Sequence, residues 1–212
     1  MRLTDGFIQE VERRLEGLES MATHANQIIG YPRPSPEEAR AMDPPARESA
    51  VIFPLFRRNN QWHTAFMKRP SGQGVHSDQL SFPGGRLEPG ETHFQAALRE
   101  AHEEVGVPPH QWELLGELSA LYIPPSHFVV QPFIAIGPEN PIFSLNESEV
   151  VQWIEYPIVR FLEGGIISKK PIFVSKYERT FESGYFDING HTLWGATAIM
   201  VQEFRSLFGL VD

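Results

Sequence analysis

There is no cysteine among the 212 residues. That absence excludes disulfides, zinc–thiolate centres and thiol nucleophiles. No apolar run is long enough to span a bilayer, and no signal-peptide pattern opens the chain. Met1 to Asp5 leads into an amphipathic helix instead, so a cytoplasmic location without a membrane partner is the default expectation. Positive charge is scarce: 18 Lys and Arg against 27 Asp and Glu leave a net charge of −9. A chain so acidic is not expected to bind nucleic acid non-specifically. An anionic ligand would meet a like-charged protein, so local cations, either Arg and Lys or bound metal, must offset the repulsion. The length suits one domain able to bury a sizeable core. Residues 1–48 read as an N-terminal helix and a proline-rich connection packing on the domain, and 49–212 as the domain itself with a C-terminal helix.

What the chain does have is concentrated in one stretch: Gly85, Glu91, Arg99, Glu100, Glu103, Glu104 and Gly106. Their spacing is G-x5-E-x7-R-E-A-x-E-E-x-G-V, ending at Val107. Pro89-Gly90 is a turn signal. Thr92 with Gln95 three positions on is a capping-box pattern, which predicts a helix beginning near Thr92. Gly106 suits the left-handed position just past its end. Phe94, Ala97, Leu98, Ala101 and Val105 recur at helical spacing and form the expected buried face. Glu100, Glu103 and Glu104 fall at i, i+3 and i+4, sharing the opposite side. Like charges so placed repel by about 0.2–0.5 kcal/mol per pair. The helix dipole also disfavours anions in the last turn. A solvated acidic face explains one such glutamate; the whole set points to a divalent cation, for which carboxylates are hard ligands. Arg99 would orient a carboxylate or meet a phosphate.

The stretch resembles the Nudix box at every specified position from Gly85 to Val107. The resemblance implies an α/β fold, the Nudix-type α/β/α sandwich with a mixed β-sheet. It implies a pyrophosphohydrolase that uses Mg²⁺ or Mn²⁺ while water attacks a phosphorus of a nucleoside diphosphate derivative. By position, Glu103 and Glu104 would be the main metal ligands. Glu100 would be a further ligand or water-positioning group, and the Gly85 carbonyl would join the metal shell. Arg99 would orient the glutamates, so Arg99, Glu100, Glu103 and Glu104 form the expected catalytic set. Gly84, Glu91 and Gly106 would be structural. Phosphoryl transfer asks mainly for positioning and charge neutralisation, which these side chains suit. The implied partner is a small-molecule nucleotide, with no nucleic acid or membrane partner and homodimerisation left open.

Upstream, Arg69 to Gly85 resembles the extra motif of the coenzyme A pyrophosphatase branch, roughly L-L-T-x-R-S-x3-R-x3-G-x3-F-P-G-G. Arg69 and Phe82-Pro83-Gly84-Gly85 match at the correct separation; Pro70, Gly74 and Asp78 depart. Leu193 to Ala198 also resembles the start of that branch's C-terminal helix. Coenzyme A or acyl-CoA, giving (acyl-)phosphopantetheine and 3′,5′-ADP, therefore ranks ahead of ADP-ribose or a dinucleoside polyphosphate. A non-catalytic nucleotide-binding domain is the rival of another class. Arg69, His76 and Phe82 are the substrate-contact candidates. A surface charge, an exposed loop histidine and a core phenylalanine are the plain alternatives. The general base is Glu100 or a loop residue such as Glu147 or Glu149. His102 is expected at the surface, and Trp153 and Trp194 in packing roles.

Elsewhere, Phe7, Val11, Leu15 and Leu18 predict an N-terminal helix capped by Thr4 or Asp5. Tyr31 to Pro45 reads as a proline-rich linker or strap, with a flap near the site as the functional alternative. Predicted strands cover 49–56, 62–67, 79–82, 115–123, 128–136 and 151–156, with a turn at 57–60. Loops are expected at 71–77 and 139–149, a short helix at 159–162, and irregular or β structure over 169–185. His191 to Phe208 reads as one helix with Leu193, Ala196, Thr197, Met200, Val201, Phe204 and Phe208 on its apolar side.

Overall fold

Strand β1 (Arg47–Arg58) organises the molecule. Its side chains alternate, as strand geometry requires, so that Ala50 and Ile52 enter one core and Phe53 and Leu55 another. The computed structural model describes residues 6–17, 33–70, 79–174 and 177–210. Within them lie helices α1 (Phe7–Glu16), α2 (Pro36–Arg40), α3 (His93–Val105), α4 (Ile158–Phe161) and α5 (Gly195–Ser206). The remaining strands are β2 (Gln61–Lys68), β3 (Leu80–Ser81), β4 (Gly84–Arg86), β5 (Glu113–Glu117), β6 (Leu121–Ile123), β7 (Phe128–Ile136), β8 (Gln152–Pro157), β9 (Ser168–Val174), β10 (Arg179–Ile188) and β11 (His191–Leu193).

The main sheet is mixed. β1 runs parallel to β7, from Arg47 opposite Phe128 to Leu55 opposite Ile136. It runs antiparallel to β4 near its start and to β2 at its end. β2 carries β3 and β8, and β7 carries β5 and β6, all antiparallel. One face packs on α3 through Ala97, Ala101 and Val105. The other packs on α1 and α5 through Phe7, Val11, Val201 and Phe204. Helices thus cover both faces of a mixed sheet, as the resemblance implied. A separate antiparallel sheet, β11-β10-β9, stands beside it. Among the described residues no helix is long and apolar enough to cross a membrane.

Several elements differ from expectation. His191–Leu193 is not helical: it pairs with β10, Leu193 opposite Phe186. The chain then turns at Gly195, whose φ of +65° sets the change of direction into α5. The predicted strand 115–123 breaks after Glu117, because Ser119 turns aside to donate its N–H and hydroxyl to Glu203 on α5. The proline-rich connection contains α2, whose capping box is Ser35 with Glu38. β1 continues through Arg58, and the turn narrows to Asn59-Asn60, both at positive φ. Gly6 is the N-cap of α1 and makes no side-chain cap bond. Thr4, Asp5 and Leu18 lie outside the described residues.

Candidate active site

Helix α3 begins as its sequence dictates. Thr92 Oγ1 accepts the Gln95 N–H at 3.2 Å, and the Gln95 side chain accepts the Thr92 N–H at 2.9 Å. The helix ends at Gly106, φ +77°, whose N–H donates to the His102 carbonyl. The 139–149 loop docks on that end. Ser144 N–H donates to the Val105 carbonyl and Asn146 N–H to the Glu104 carbonyl, each at 3.0 Å.

The three glutamates of this helix occupy different surroundings. Glu103 is exposed. Glu100 is half-buried against Gly85: a Cβ on that glycine would lie 2.4 Å from the Glu100 Cδ. Glu104, expected on the polar side, is 1% exposed. It is turned toward Arg69 and Gly84, where its two oxygens find donors. Arg69 Nη2 donates to Oε1 and the Gly84 N–H to Oε2, both at 2.9 Å. Burial pushes the Glu104 carboxyl up to about 7; Glu100 and Glu149 add to the rise, while Arg69 and the Gly84 N–H oppose it. Burial likewise raises the Glu100 carboxyl, against the pull of Arg99.

Arg99 is fixed from several sides. It donates Nε and Nη2 to the Glu91 carboxylate at 2.7 and 3.2 Å, Nη2 to the Arg86 carbonyl at 3.0 Å, and Nη1 to Glu100 at 3.0 Å. Its contact with Glu103 is longer, 3.5 Å. The hydrogen bonds from Arg99 hold the Glu91 carboxyl below the usual carboxylate range.

Among the described residues, no three His, Cys, Asp or Glu side chains converge tightly enough to enclose a metal ion. Arg69 is paired with Glu104 and Arg99 with Glu100. The donor chemistry nevertheless fits a hard divalent cation. Three carboxylates rise from adjacent turns of one helix, the Gly85 backbone lies against one of them, and burial raises the carboxyl of the most enclosed, Glu104, even with Arg69 beside it.

A cavity of about 490 Å³ adjoins Gly84, Gly85 and Arg86. Its polar lining includes Arg33, Arg69 and Arg86; its apolar lining includes Ile123, Phe128, Phe173, Trp194 and Met200.

The profile of the NUDIX domain matches residues 45–172. This chain belongs to the Nudix family. The match spans the main sheet and the Nudix helix α3, leaving α1, α2, α5 and both β10 and β11 outside it. An uncharacterized Nudix hydrolase, NudL, of Enterobacter sp. (strain 638) is 32% identical over 77% of this chain and 84% of its own length. A probable nudix hydrolase of Schizosaccharomyces pombe is 27% identical over 76% of this chain, which spans 55% of that longer protein. The crystal structure of the Nudix hydrolase RenU from M. smegmatis superposes with a TM-score of 0.54 at 15% identity, covering 77% of this chain and 86% of that one. The protein is accordingly an enzyme, a Nudix pyrophosphohydrolase with the family's mixed α/β fold.

The remaining candidate residues separate within this Nudix frame. Phe82 is both core and lining: it is 1% exposed, packs on Phe53 and Phe66, and borders the cavity. Trp194, expected to pack, instead lines the cavity, whereas Trp153 packs on Phe143 at 4.7 Å. Glu149 is close enough to raise the carboxyls of Glu100 and Glu104, and Asn146 Nδ2 donates to it; Glu147 is exposed. His102 is exposed, and His76 lies outside the described residues. Sequence reasoning missed Arg33, Arg86 and Phe173 as cavity residues. Arg86 stands inside the box and was open to notice. Arg33 and Phe173 carry no local pattern, and only tertiary folding brings them to the cavity.

Proposed function

We propose that this Nudix hydrolase cleaves the pyrophosphate bond of coenzyme A or an acyl derivative, releasing (acyl-)phosphopantetheine and 3′,5′-ADP. The carrying observation is the cavity beside Gly84–Gly85, with apolar walls and three arginines in its lining. Such a lining suits a ligand that joins phosphates to a long, partly apolar arm. Arg69 and Phe82 to Gly85, which match the branch motif, lie on the lining or against it.

Glu100, Glu103, Glu104 and the Gly85 carbonyl would hold Mg²⁺ or Mn²⁺. That ion would neutralise phosphate charge and lower the pKa of attacking water. The chain's own groups do the positioning. Arg99, anchored by Glu91 and the Arg86 carbonyl, fixes Glu100. Gly85, lacking a side chain, lets Glu100 approach the backbone. Glu149, beside both buried carboxyls, is the favoured loop candidate for the general base, with Glu100 the alternative.

The test is a substrate panel of coenzyme A, acyl-CoA, ADP-ribose and diadenosine polyphosphates with Mg²⁺ or Mn²⁺. Turnover of coenzyme A compounds above the others is expected, and absence of such a preference overturns the substrate assignment. Gly74, standing where the branch motif has a second arginine, favours ADP-ribose or a dinucleoside polyphosphate as the second reading. Glu103→Gln is expected to abolish metal-dependent turnover with the fold intact by circular dichroism. Near-normal rates would remove Glu103 from the site.

A further inference from the structure

The two arginines that stand on the site carboxylates are held very differently. Arg99 is bound by the Glu91 carboxylate, by the Arg86 carbonyl and by Glu100, so losing one carboxylate leaves it anchored. Among the described residues, the Arg69 guanidinium has one carboxylate partner, Glu104 at 2.9 Å, and a long contact of 3.4 Å to the Gly84 carbonyl. Arg69 is also part-exposed, with 32% of its side chain accessible against 1% for Glu104. It lines the cavity, so its guanidinium sits on the boundary between a buried carboxylate and the space open to substrate.

We propose that Arg69 is a positioning residue that stands in for the metal. It neutralises Glu104 while the site is metal-free, and it swings into the cavity toward a substrate phosphate when a divalent cation takes that carboxylate. This inference rests on the metal-site reading above. A carboxylate at 1% exposure requires a counter-charge, and within the described ion pairs Arg69 is the one that supplies it. A dication bound to the same carboxylate supplies that charge itself and repels a guanidinium a few ångströms away, in a setting where screening is weak. The displaced side chain has an exit, because it borders the cavity rather than being enclosed by the core. The consequence is ordered assembly: metal first frees the arginine, and the freed arginine then meets the anionic substrate.

The test uses full-length protein stripped with EDTA. Mn²⁺ binding is followed by the electron paramagnetic resonance signal of free Mn²⁺, and melting temperature is read in EDTA and in Mg²⁺. Removing the competing cation in Arg69→Ala is expected to tighten Mn²⁺ binding about tenfold. In EDTA the same variant should melt about 5 °C or more below wild type, with most of that loss recovered in Mg²⁺. Arg69→Lys should fall between the two in Mn²⁺ affinity. At saturating Mg²⁺, Arg69→Ala should raise KM for coenzyme A more than it lowers kcat. Equal or weaker Mn²⁺ binding by folded Arg69→Ala overturns the stand-in role, because a merely structural arginine would not compete with metal. An unchanged KM overturns the transfer to phosphate. Should Arg69→Ala not fold in EDTA, recovery of the fold on adding Mg²⁺ supports the proposal, and failure in Mg²⁺ as well overturns it. If wild type binds no Mn²⁺, or Glu104→Gln binds it as tightly as wild type, the metal-site reading falls and this inference falls with it.

Discussion

Gly84 and Gly85 are neighbours whose replacement should have opposite consequences. A Cβ at Gly84 would lie 2.2 Å from the Ala50 carbonyl oxygen and 2.6 Å from the Val51 Cα, on a backbone at φ +145°. Neither obstacle can yield without moving β1, so Gly84→Ala should cost about 3 kcal/mol or more in urea unfolding. At Gly85 the nearest atoms are the carboxylate end of Glu100, which can rotate away. Gly85→Ala should therefore keep its melting temperature within a few degrees. It should lower kcat roughly a hundredfold, because a displaced site group is costly to phosphoryl transfer. The box spacing identified Gly85 and the adjoining Phe82-Pro83-Gly84-Gly85 motif Gly84, but their division of labour was not legible in sequence. It depends on which atoms the fold brings opposite each one. Glu104 teaches the same lesson, for helical spacing placed it beside Glu100 and Glu103, whereas the fold buries it and brings Arg69 and the Gly84 N–H to its oxygens.

At the scale of elements, the Nudix helix was the most legible part of the chain, because its start and stop signals are local. Thr92 with Gln95, and Gly106, fall where the cap and the left-handed terminus do. Thr92→Ala should cost about 1 kcal/mol by denaturant titration, with little change in kcat. Helix α5 was misjudged at its beginning because pairing of His191–Leu193 with β10 is a long-range fact that helical periodicity cannot show. Its burial on nearly all sides also hides a charge. Glu203, 1% exposed, is met by Ser119 from the β5–β6 connection, and burial raises its carboxyl. A carboxyl raised in the fold holds its proton more tightly there than in the unfolded chain. The associated stability is complete below the ordinary carboxylate range and is lost as pH rises through the raised value. Glu203→Gln should thus gain stability relative to wild type as pH rises from acid to neutral. Parallel urea titrations at both pH values measure that difference, and a constant difference would refute it.

For the whole molecule, the sheet works because its two faces are sealed by segments far apart in sequence. α1 closes one of them: Val11 is fully buried, Phe7 stacks on Phe208 with centroids 5.9 Å apart, and the Arg14 guanidinium lies 5.1 Å from that same ring. Val11→Asp would place an unpaired carboxylate in this contact, costing about 3 kcal/mol or more, read as a lower denaturant midpoint. Fold class was legible because the box names it and β1 alternates; the three-stranded sheet and the cavity were not, being assembled by tertiary contacts alone. The cavity carries a consequence of its own. Its floor at Gly84 to Arg86 lies within the family-matched segment, but Arg33, Phe173, Trp194 and Met200 lie outside it. On the proposed reading, part of the wall that meets the substrate is therefore drawn from stretches outside the one that carries the Nudix helix. A focused mutant library at those four positions is then expected to shift substrate preference while leaving helix α3 unaltered.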